Sequence, residues 1–139
     1  MYLLDTNVVC ELRRPDKAAS AVLAWSRAAV ADQLFISSIT VFEIELGVRQ
    51  KERRDATQGR LLRQWLEMQV LPQFQGRVLD VDIAVARRCA ALHSPHPAPE
   101  RDAWIAATAL VHHMTVVSRN TRDFLACGAQ VFNPWLAPD

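Results

Sequence analysis

Glycine is scarce in this chain, with four in 139 residues. No Gly-x-Gly-x-x-Gly, Walker or Gly-x-Ser-x-Gly sequence occurs, which removes the dinucleotide fingerprint, the P-loop and the hydrolase nucleophile elbow. Cysteine is scarcer, three in all, odd in number and far apart at Cys10, Cys89 and Cys127. With no Cys-x-x-Cys spacing there is neither a zinc ribbon nor a secreted disulfide framework, and reduced apolar filler thiols are expected. Long apolar runs are missing too. The opening run is four residues and meets Asp5, too short for a signal peptide or a membrane span, so a cytoplasmic protein with no membrane partner is expected. Excess charge is also absent, the formal balance being +1. That excludes a protein that coats DNA through charge alone, although a local basic stripe would still serve a nucleic-acid substrate. His93 and His96 flank a proline loop and His112 and His113 end a helix, without convergent partners for zinc, so they read as ordinary surface residues.

What is present is a globular composition, 50% hydrophobic and 22% charged, sized for one domain over residues 1–139. Short apolar runs at 1–4, 34–37, 78–81, 115–118 and 130–132 read as strands. Between them, helical patterns are predicted at 7–13 with Asn7 as cap, 18–31, 40–52, 57–70 closed by Pro72, 83–92, 101–114 and 121–126. The stretch 94–99, Ser-Pro-His-Pro-Ala-Pro, reads as a loop. Alternating short strands and helices predict an α/β fold, a three-layer α/β/α arrangement around a parallel sheet of four to five strands. Small residues from Ala103 to Ala109 suit a helix lying close to that sheet.

Polar residues cluster where strands end or helices begin: Asp5, Glu43, Asp102, and the pair Asn120 and Asp123. Each has a local explanation. Asp5 can form an Asx turn, Thr40-x-x-Glu43 and Asn120-x-x-Asp123 match capping boxes, and Asp102 complements a helix dipole. Together they belong at the carboxyl edge of one sheet, where α/β folds bind ligands. Carboxylates crowded there raise one another's pKa values unless a cation neutralises them, and Mg²⁺ or Mn²⁺ suits an all-oxygen donor set. Such a centre suits phosphodiester hydrolysis.

The runs Leu4-Asp5-Thr6-Asn7-Val8, Ser38 to Gly47, Asp102 to Ala109 and Val117 to Phe124 occur in an order, and over nearly the whole chain, that resembles the PIN-domain ribonucleases. The resemblance is to the VapC-like toxins of toxin–antitoxin pairs, and Val131-Phe132-Asn133-Pro134-Trp135 is similar to the FitB branch. It implies a Mg²⁺-dependent endoribonuclease, a homodimer held inactive by a cognate antitoxin, with RNA as substrate. By carry-over, Asp5 and Asp102 are the principal metal ligands and Glu43 the third acid. For the fourth position, Asp123 is favoured over the neutral amide of Asn120, which would orient it or the water. Thr6, Ser38 and Ser118 are hydroxyls placed to orient carboxylates, or equally to make local turn and cap hydrogen bonds.

Glu45 lies nearly opposite Glu43 on a helix, so only one of them can face a metal. Arg13 and Arg14 follow Asp5 closely enough to meet RNA or an acidic antitoxin side chain. The denser basic run, Arg49, Lys51, Arg53, Arg54, Arg60 and Arg63, reads equally as a solvated helix end. Trp25 and Trp65 read as core or groove wall, and Trp104 as a dimer contact. A catalytically weak RNA- or partner-binding module is the alternative function, and a flap-type DNA nuclease a third, for which the chain lacks a helical arch.

Overall fold

The computed structural model describes residues 1–136. Its centre is a parallel sheet in the order β3-β2-β1-β4-β5. The strands are β1 (Tyr2–Leu4), β2 (Leu34–Ser37), β3 (Val78–Leu79), β4 (Thr115–Val117) and β5 (Val131–Phe132). From β1 the chain builds outward through β2 to β3 on one side, then crosses to β4 and β5 on the other. The carboxyl ends of β1 and β4, paired through Leu4 and Val117, therefore flank the point where the winding reverses, the usual ligand crevice of such sheets.

Strand alternation sends neighbouring side chains to opposite faces, and each face has its own core. Leu4 and Val117 join Ile36, Ile44, Val48, Trp65, Leu66, Val70 and Phe74 on one side. Leu3 and Val116 join Ile105, Ala106, Ala109 and Phe124 on the other. Each fully buried Leu or Phe of these clusters contributes roughly 1.5–3 kcal/mol over an exposed one. The first face is covered by α3 (Ser38–Arg54) and α4 (Ala56–Trp65), the second by α7 (Glu100–His112) and α8 (Thr121–Ala126). On α7, Ala103, Ala106, Ala107 and Ala109 are fully buried, so the small residues do let this helix seat closely. Behind α7, α6 (Ile83–Leu92) buries Val85 and Cys89 against Ala103 and Ala107. The shorter α1 (Thr6–Glu11) follows β1, and α2 (Ser20–Ala28) brings Trp25 edge-on to Tyr2 at 5.7 Å.

The strand at 34–37 and the helices at 83–92 and 121–126 have the predicted bounds, and the proline loop is as read. Several local expectations need correction. The cap of α1 is Asp5, whose carboxylate accepts from the Thr6 N–H at 2.8 Å, so Asn7 falls inside the helix. Helix α3 begins at Ser38 under a Ser37 cap, which places Glu43 in the second turn and dissolves the Thr40 capping box. Asn120 precedes α8 without capping it. Pro72 does not close the fourth helix. After α4 the chain makes a π-helical turn (Leu66–Val70), and Pro72 is the second residue of α5 (Leu71–Gln73), where a missing N–H is tolerated. A 3.6-residue period over 57–70 puts Leu61, Leu62, Trp65, Leu66 and Met68 on one apolar stripe, but Leu61 and Met68 are exposed. Of the filler thiols, Cys89 is buried and Cys127 half-buried, but Cys10 is exposed.

Candidate active site

Asp5 leaves β1 with its backbone N–H still bonded to the Val117 carbonyl at 2.9 Å, so it continues the sheet ladder before turning into α1. The residue is only 6% exposed. Oδ1 accepts from Thr6 N and Oδ2 from the Ser118 hydroxyl at 2.7 Å. Burial pushes its carboxyl above the ordinary range; the hydrogen bonds from Ser118 and Thr6 oppose this, and nearby Glu43 adds to it.

Glu43 reaches the same edge from α3, its side chain 22% exposed. Its Oε1 accepts from the Thr6 hydroxyl at 2.7 Å. Thr6 also lies 3.2 Å from the hydroxyl of fully buried Thr40. A hydroxyl has one proton, and a carboxylate can only accept, so Thr6 donates to Glu43 and Thr40 donates to Thr6. Glu45 points away, tied to Arg63 at 2.8 Å and to Arg49 at 3.1 Å, which leaves Glu43 as the acid facing the sheet edge.

Asp102, in the first turn of α7, and Asp123, on α8, are joined by Asn120. The Asn120 amide donates one hydrogen to Asp102 Oδ2 at 2.9 Å and the other to Asp123 Oδ2 at 3.0 Å. The reverse orientation would set its oxygen against two carboxylates, so the network fixes which end points in. Asp102 is pushed up to about 6, by burial first and then by the charges of Asp5, Asp123 and Glu43.

The structure therefore brings Asp5, Glu43, Asp102 and Asp123 to one edge, with Thr6, Ser118 and Asn120 directing their oxygens. Beside them, Ser37 and not Ser38 takes the capping role at the start of α3. Arg13 shares a cavity of about 380 Å³ with Thr6 and Glu43. It also lines, with Arg14 and Trp65, a cleft of about 750 Å³ beside α4. Arg14 itself pairs with Asp16 at 3.5 Å in the open. Three participants escaped sequence reasoning: Asn7, Thr40 and Arg101, whose guanidinium lies 3.6 Å from Glu43 and 5.2 Å over the Phe42 ring. Spacing marks Asn7 and Thr40 only as helix caps and Arg101 only as a helix residue, because local patterns do not report partners on other elements.

The donors around Asp5 and Asp102 are neutral groups, so they orient negative charge without cancelling it. Among the described residues, no three His, Cys, Asp or Glu side chains converge tightly enough to wrap an ion. Mg²⁺ does not need that, since it commonly takes one or two carboxylates and keeps its waters. An oxygen-only set with surplus negative charge thus fits a hard divalent cation.

One consequence concerns pH. The folded-state value of Asp102, about 6, exceeds its ordinary 3.8, so in that window the folded protein holds a proton the unfolded chain has released. Stability then falls as pH rises through the window. In chelator, the thermal midpoint is expected to be higher at pH 5 than at pH 7, and Asp102→Asn to flatten the difference. A wild-type midpoint that rises over this interval would contradict the assignment.

A buried strand-end aspartate facing acids from three helices across a parallel sheet places the chain among PIN domains. Residues 2–128 match that family, and the chain belongs to it. It is 39% identical over 141 residues to Toxin FitB of Neisseria gonorrhoeae, spanning 97% of this chain and 99% of that protein. It is also 39% identical over 145 residues to VapC ribonuclease Y4jK of Sinorhizobium fredii, spanning 97% and 98% respectively. Among solved structures, FitAcB from Neisseria gonorrhoeae superposes with a TM-score of 0.90 at 37% identity, covering 99% of this chain and 100% of that one. FitAB bound to an IR36 DNA fragment gives 0.85 at 36% identity, covering 100% and 99%.

Proposed function

We propose that this chain is a metal-dependent endoribonuclease, the toxin of a toxin–antitoxin pair, working in the cytoplasm as a homodimer. The carrying observation is the meeting of four carboxyls, delivered by β1, α3, α7 and α8, at the winding reversal of the sheet. The family membership and the likeness to FitB and to a VapC ribonuclease support the same reading.

Asp5 and Asp102 would hold Mg²⁺, with Mn²⁺ able to replace it. The chemistry such a cation would supply is polarisation of a phosphoryl oxygen and a lower pKa for the attacking water. Ser118 and Thr6 keep the Asp5 and Glu43 oxygens in fixed directions. Asn120 holds Asp102 and Asp123 side by side despite their like charge, which supports the reading of Asp123 as the fourth acid with Asn120 as its clamp. Glu43 is placed to accept a proton from the attacking water. Arg13 and Arg14 offer positive charge to RNA phosphates or to an acidic antitoxin segment, and the likeness to toxin–antitoxin complexes supports the second partner. Trp104, beside exposed Phe42, offers apolar surface to a second copy.

Purified, antitoxin-free protein is expected to cut RNA internally with Mg²⁺ or Mn²⁺ and to stop when chelator is added. Metal-independent RNA binding without products would replace the nuclease with a binding module.

A further inference from the structure

The Ser118 hydroxyl has one proton and two lone pairs, and all three are committed. The proton goes to Asp5 Oδ2 at 2.7 Å. One lone pair receives the Asn120 backbone N–H at 2.9 Å, and the other receives Nδ2–H of Asn7 at 3.2 Å. Ser118 is fully buried, so bulk water does not compete for these positions. An N–H cannot reverse its role, so with both lone pairs filled the hydroxyl can only donate, and Asp5 is what it donates to.

Asn7 is suited to this because it needs both ends of its amide. While Nδ2 donates to Ser118, Oδ1 accepts the backbone N–H of Arg119 at 3.5 Å. Aspartate would lose the donor and leucine both groups. The contact joins α1, just after β1, to the turn between β4 and α8, spanning the two strand ends that flank the acids. None of Asn7's own side-chain hydrogen bonds runs to Asp5, Glu43, Asp102 or Asp123.

We propose that Asn7 is a positioning residue: through Ser118 it fixes the direction of the hydrogen bond into Asp5, leaving that carboxylate's remaining lone pairs for the bound cation. The inference rests on the reading of Asp5 as a metal-holding group. A helix cap, the role its sequence position suggested, would involve Asn7's own helix and not Ser118.

The test uses the full chain and two readouts. In ¹⁵N NMR, Ser118→Ala is expected to shift the Asn7 side-chain amide resonances and speed their exchange, while Ser118→Thr, which keeps the hydroxyl, leaves them in place. In Mn²⁺ titration, Asn7→Leu is expected to weaken binding by about 10- to 100-fold, the usual loss when an outer partner of a metal ligand is removed. In a Ser118→Ala background the same substitution should cost less than about twofold, whereas a merely structural role would cost the same in both. Equal losses in the two backgrounds, or Asn7 resonances indifferent to Ser118→Ala, would overturn the proposal. Should Asn7→Leu fail to fold, the Ser118 pair alone decides through the resonances. If the wild type binds no Mn²⁺ and cuts no RNA, the nuclease reading is what fails, and the resonances still report whether Asn7 orients Ser118.

Discussion

Asp5→Asn is expected to lower metal-dependent RNA cleavage by at least about 100-fold, the upper range for losing even an outer partner of a metal ligand, while leaving folding nearly untouched. The two effects separate for a physical reason. Asn is as good an N-cap as Asp, so the bond from Thr6 can persist. An amide cannot accept from both Thr6 and Ser118 as a carboxylate does, and the buried Ser118 hydroxyl left without its acceptor costs about 1–3 kcal/mol. Against that, the substitution removes a buried carboxyl that desolvation and Glu43 already push toward protonation. The terms offset, and for a chain of this size about 1 kcal/mol corresponds to roughly 4 °C. Thermal melts and gel-based cleavage on one preparation check both halves. Cleavage within a few-fold of wild type would remove Asp5 from the chemistry.

The local reading of Asp5, an Asx turn, and its reading as a site residue do not exclude one another, because its two oxygens are used separately: Oδ1 takes the N–H of Thr6 as a helix cap and Oδ2 takes the Ser118 hydroxyl at the sheet edge. The positions of the acids were legible because strand ends and helix starts in a parallel sheet fall on one edge, and chain order decides little else. Their partners were not. Thr40 and Asn7 bond to residues 34 and 111 positions away, and no local pattern encodes such pairs. Sequence spacing sets Asn120 beside Asp123, to which its amide donates, but its second hydrogen, to Asp102 on another helix, depends on tertiary geometry. Local rules failed more plainly at Pro72, where the π turn before it changes which N–H groups the helix requires. They failed also at Met68, whose stripe position assumed an unbroken 3.6-residue period.

Gly59 is the other place where tertiary contact outweighs local preference, and Gly59→Ala is expected to destabilise the protein by about 1–3 kcal/mol, the usual cost of forcing extra volume into a packed contact. Helix propensity alone argues the opposite sign, since Ala is favoured over Gly in a helix interior by roughly 0.8–1 kcal/mol. The deciding fact is distance. A Cβ at position 59 would lie 2.5 Å from the Glu52 Cα and 2.7 Å from its backbone nitrogen. No side-chain rotation clears a backbone atom, so α4 would have to move off α3. Gly59 is therefore a point of close backbone approach between the two helices, and Arg63, one turn further along α4, clasps Glu45 and Glu52 of α3 at 2.8 and 3.0 Å. Displacing α4 would strain that clasp and widen the cleft walled by Trp65, with Arg13 and Arg14 opposite. The expected thermal midpoint falls by about 4–12 °C, while residual folded protein keeps its four acids, none of which lies on α4. A midpoint that rises instead would mean propensity prevails and the helices have room to part, so that Gly59 is only a weak spot in α4 and not the contact that sets its distance from α3.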